Sequence, residues 1–182
     1  MQVFARRGFQ LRTASLQTRL AYTCFVALLL PGIASLVALS IGRMGLSPRA
    51  IAVYYRGGES EMSFPKQFWQ LAEVCHFHLF SIPVVVLILA HLLGATPASA
   101  RLRIALTVTT YVGALLDIGS PWAIRYVAGG FAWALLAGWA LLAGGLLSMT
   151  VISVVYMWGP ERWTNPAPAL RSPASALGRE VE

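Results

Sequence analysis

Residues 73–94 read EVCHFHLFSIPVVVLILAHLLG. After Glu73 at its start the stretch contains no Asp, Glu, Lys or Arg. Its length matches the ~20 apolar residues that an α-helix needs to cross a hydrocarbon core of ~30 Å. It also holds all three histidines of the chain, His76, His78 and His91. Read as a membrane-spanning helix, it sets the class: an all-α integral membrane protein with polar side chains placed where lipid makes them expensive.

The surrounding sequence agrees. Hydrophobic residues make up 57% of the 182 and charged residues 12%, and the apolar ones are gathered into long runs rather than scattered as in a soluble core. The reading is a bundle of four transmembrane helices over residues 20–158, with spans at about 20–41, 74–96, 104–118 and 131–158. Residues 1–19 form a basic cytoplasmic segment, and 159–182, rich in Pro and Ala, a disordered cytoplasmic tail. The first span is too long for the ~7–15-residue core of a signal peptide, so it reads as an uncleaved anchor. Pro31 should kink it. The loop at 42–72 is the longest, with a turn at Gly57-Gly58 and a break at Pro65. Its AIAVYY run suggests a short strand. Residues 66–72 suggest an interfacial helical turn, with Phe64, Phe68 and Trp69 at headgroup level. In the fourth span Gly138, Gly144 and Gly145 offer a smooth face for a neighbouring helix.

The net charge of +7 comes mainly from arginines flanking apolar runs. It therefore speaks for topology and anionic lipid rather than nucleic acid. With the N-terminus cytoplasmic, nine basic residues fall on that side and five on the other, Arg43, Arg49, Arg56, Lys66 and Arg125. The expectation is a multi-pass protein of a bacterial inner membrane, both termini cytoplasmic and the long loop extracytoplasmic. Cys24 and Cys75 then lie near opposite faces, which excludes a disulfide between them.

Chemistry concentrates on the histidines. His76 and His91 are 15 residues apart, roughly 22 Å of rise and about 60° of rotation, so they share a helix face while His78 points elsewhere. Two imidazoles stacked across a span suit haem b, whose iron takes axial histidine. With no other histidine in the chain, the second axial ligand would come from a second protomer, or from Met149 or Met157. Glu73 and His76, one turn apart, form an Glu-x-x-His unit of the kind used in di-iron carboxylate sites. Glu73, His76 and His78 are thus candidate ligands for a transition metal, with Asp117, Glu59 and Glu61 on the same side of the membrane. The competing reading is that the histidines are interfacial or make interhelical hydrogen bonds in the four-helix packing. Asp117 is expected at the end of its helix, solvated or paired with Arg125. No phosphate-cradling loop, nucleophile elbow or HExxH motif is present.

The stretch YYRGGESEMSFPKQFWQLAEVCHFHLFSIPVVVLILAHLL, 54–93, resembles small proteobacterial inner-membrane proteins of unestablished function, in which FPK leads into a His-x-His span. The stacked histidines also resemble the di-histidine helix of b-type cytochromes. The first resemblance implies a location; the second implies haem b on His76 and His91. Two functions follow as expectations. One is a redox- or metal-associated membrane protein with haem b or a metal held by the second span, without independent catalytic activity. The other is a non-enzymatic scaffold or accessory subunit, working as a homodimer or with a partner membrane subunit.

Overall fold

The computed structural model describes residues 10–160. Along them run α1 (Leu16–Met44), α2 (Pro48–Arg56), α3 (Phe68–Gly94), α4 (Ala100–Tyr126) and α5 (Ala132–Trp158). Helices α1, α3, α4 and α5 are each long and apolar enough to cross a membrane. The chain is therefore a multi-pass membrane protein with an all-α fold. Residues 1–9 of the expected basic segment and 161–182 of the expected tail lie outside the described residues.

Helix ends follow local capping chemistry. Ser15, Ser47 and Ser99 accept hydrogen bonds from the first turns of α1, α2 and α4. Gln67 and Gln70 form a reciprocal capping box at the start of α3. Several helix C-termini receive arginine from another segment. Arg56 donates to the Ile124 carbonyl of α4, Arg103 to Gly94 of α3, and Arg19 to Met157 of α5. Arg125 donates to the Lys66 carbonyl in the loop. Cations here satisfy orphan carbonyls and oppose the negative end of the helix dipole. Some arginines that suggest topology in the sequence thus also have a structural duty.

Three expectations are corrected. The AIAVYY run is not a strand but part of α2. Ser47 and Pro48 open that helix, Gly57 closes it at φ 81°, and Ile51 and Tyr55, four apart, bury one face. Ser-Pro starts, glycine stops and i,i+4 burial all favour helix over strand. The turn expected at 66–72 is the start of α3 itself. Third, the span expected to end at residue 118 continues through Pro121 to Tyr126. Proline removes one backbone hydrogen bond, whereas irregular backbone at this depth would leave several unmet, so the helix carries through.

The tightest seam joins α4 to α5, and glycine makes it. A Cβ on Gly113 would lie 2.5 Å from the Leu142 nitrogen, and one on Gly138 2.8 Å from Leu116 Cβ. Gly145 abuts Thr110, while Gly144 faces open space. The smooth face expected in the fourth span is therefore used within the chain, by Gly138 and Gly145. Two cores result. One lies among α3, α4 and α5, around Val86, Leu89 and Met149; the other joins α2 to the α4–α5 end through Ile51, Ile124 and Leu135. α1 packs on α2 and α5 and is largely exposed.

Candidate functional site

Close approach of α4 and α5 at Gly138 fixes the polar centre. A Cβ there would meet the Asp117 backbone nitrogen at 3.0 Å, so only glycine lets the two backbones come this near. The next residue, Trp139, donates its indole N–H to Asp117 Oδ1 at 2.9 Å. The other oxygen, Oδ2, stands 3.3 Å from His78 Nδ1 on α3. One carboxylate thereby ties three helices together. His78 is ten residues into α3, ~15 Å along its axis, and Asp117 is buried with 8% exposure. Asp117 is neither at its helix end nor paired with Arg125, contrary to the sequence expectation.

Pro121 adds a second feature. It stands four residues after Asp117 and has no N–H, so the Asp117 carbonyl lacks its usual intrahelical donor. Pro121 lines a cavity of about 250 Å³ together with His78, Asp117 and Cys75, closed by Tyr54, Tyr55 and Trp122 and reached by Arg43, Lys66, Gln70 and Glu73. Lys66 Nζ lies 4.1 Å from the Tyr54 ring centre, a cation–π contact. Tyr55 lies in α2, outside the spanning helices. Burial pushes its phenol well above the ordinary tyrosine range, with Tyr54 and Asp117 adding to the shift. It faces the cavity as a neutral O–H.

The predicted site residues separate. His78 and Glu73 line the cavity. His76 and His91 are exposed on the outer surface of the bundle, His76 beside Phe80 with ring centres 5.0 Å apart. Met149 and Met157 are buried in the core of α5. Glu59 and Glu61 are exposed in the loop. Among the described residues no three of His, Cys, Asp and Glu converge as a metal-binding group. Trp139 is the member of the centre that sequence reasoning did not name. Its neighbour Gly138 carried the available signal.

With an imidazole Nδ1 facing a carboxylate, the proton is favoured on Nδ1 and the Nε2 lone pair is left to accept a proton or bind a metal. Comparison with known proteins gives a family match. A transmembrane helical domain family, Aq_1264_TM, matches residues 45–164, which take in α2 through α5 and every member of the polar centre. No curated protein matches the chain, and no solved structure does. With well over half of its 182 residues matched, the chain belongs to the Aq_1264_TM family of transmembrane helical domains.

Proposed function

We propose that this is a redox-associated membrane protein, lying in a bacterial inner membrane with both termini cytoplasmic, and that it works through His78. The observation that carries the reading is the 3.3 Å approach of Asp117 Oδ2 to His78 Nδ1 inside a spanning helix bundle. Ionisable side chains at such depth are costly and mark functional sites by default. An imidazole held in this way offers Nε2 either as a ligand to haem b iron or a transition metal, or as a proton acceptor in electron transfer. For a metal, Glu73 and Cys75 are the nearby donors on the same cavity wall, and further ligands would come from the cofactor or a second protomer. His76 and His91, roughly 22 Å apart along α3, would each hold a separate haem on its outer face, with the second axial ligand from a second protomer.

An absorption spectrum of the detergent-purified protein, oxidised and then dithionite-reduced, tests the metal branch when paired with metal analysis. A Soret band that shifts on reduction and is lost in His78→Ala places haem iron at this centre. Loss only in His76→Ala or His91→Ala moves it to the outer face.

A second reading is a scaffold or accessory subunit. It is favoured by the exposure of His76 and His91 on the bundle surface, where a partner membrane subunit or second copy would cover them. Under that reading their replacement by Ala weakens assembly and leaves the spectrum unchanged.

A further inference from the structure

We infer that the cavity beside His78 binds the headgroup of a monocyclic, lipid-soluble quinol. The inference rests on reading His78 as a redox centre and names what meets it. Four charged side chains line the cavity, Arg43 and Lys66 against Glu73 and Asp117, so their formal charges cancel and a neutral ligand fits better than a free cation or anion. The volume of about 250 Å³ lies below the ~300–1,000 Å³ of pockets for drug-sized ligands. It suits one substituted ring, which meets His78 in its role as a proton acceptor and takes the place a haem would need.

Position and lining point the same way. Gln70, Glu73 and Val74 line the cavity and are also exposed on the outer side of α3. The cavity therefore reaches the outer surface in the first turns of α3, near the Arg43 end of α1, within reach of a lipid-soluble molecule whose headgroup sits at the bilayer edge. Trp122 and Tyr54 offer aromatic faces to a ring, and Val74 and Ile118 offer apolar edges. A quinol hydroxyl donates to Nε2 of His78, whose Nδ1 is backed by Asp117. The hydroxyl on the opposite side of the ring lies toward Gln70 and Glu73 at the mouth. The step inferred is binding, in which no covalent bond forms or breaks.

The test is titration of the purified full-length protein in detergent with decylubiquinol, read by tryptophan fluorescence and checked by calorimetry. Saturable binding at one site per chain is expected. His78→Ala and Cys75→Phe, the second leaving the imidazole in place and filling the cavity, should each weaken it by about ten-fold or more while the helical circular dichroism is kept. A two-ring naphthoquinol should bind less tightly. Failure of the folded wild type to saturate, or equal binding by His78→Ala, overturns the inference. A protein that carries haem or metal yet ignores the quinol overturns only this step. One that carries neither and also ignores the quinol overturns the redox reading too.

Discussion

Asp117 divides its two carboxylate oxygens between two helices: Oδ1 accepts the indole N–H of Trp139 at 2.9 Å, and Oδ2 faces His78 Nδ1 at 3.3 Å. The division depends on Gly138. Its missing side chain brings the α5 backbone against Asp117 and so delivers Trp139 to Oδ1. Packing and chemistry meet at one contact, because the seam that closes the bundle also sets the orientation of the acid.

Replacing Asp117 by Ala removes the partner of both the Trp139 indole and the His78 imidazole, which are half-buried between the helices. A buried polar group deprived of its partner costs about 1–3 kcal/mol, so Asp117→Ala should unfold at a clearly lower temperature in detergent. Asp117→Asn keeps an acceptor for Trp139 and should lose less. Thermal melts followed by circular dichroism separate the two, and equal melts for Ala and wild type would show that the carboxylate holds nothing.

The glycine seam makes a sharper contrast. Gly113→Ala and Gly138→Ala force backbone or Cβ contacts of 2.5 and 2.8 Å, and overpacking of this kind costs about 1–3 kcal/mol. Gly144→Ala enters open space and should stay within about 0.5 kcal/mol of wild type. The three melts, compared side by side, check that α4 and α5 meet where described.

Gly57 closes α2 at φ 81°, and a Cβ there would lie 2.8 Å from the Ser63 carbonyl oxygen. Gly57→Ala should therefore cost about 1–3 kcal/mol and loosen the 58–63 bridge. Faster proteolysis of that loop in the variant would register the change.

Tyr55 gives a pH dependence with a definite sign. Burial raises its phenol above the ordinary 10.0, so the fold favours the neutral form. Its contribution is intact below about pH 10 and is lost as pH climbs from there toward the raised value. Between pH 9 and 11 wild-type stability should fall more steeply than that of Tyr55→Phe; parallel curves would mean that the phenol is solvated.

The four spans and the all-α class could be read from hydropathy, because only helices and closed barrels satisfy backbone groups in lipid. Span ends were harder. The third span, expected to end at 118, carries through Pro121 to Tyr126 and packs there on α2 and α5. The position of the span end decides the site. With the span ended at 118, Asp117 became a solvated terminal residue, and the histidine facing it looked secondary to the stacked pair His76 and His91. Nothing in their spacing says which face of α3 turns inward, because the side is chosen by the neighbours. Trp139 was hidden for the same reason, being one of several aromatics in an apolar run until Gly138 is seen to face Asp117.

The most direct test of the account is the tautomer of His78, measured by nitrogen NMR on 15N-histidine-labelled protein carrying His76→Ala and His91→Ala. With Asp117 facing Nδ1, the spectrum should show the proton on Nδ1 and a bare Nε2, and Asp117→Asn should change it. A proton resident on Nε2, or a spectrum indifferent to Asp117→Asn, would contradict the claim that this carboxylate prepares His78 for its ligand.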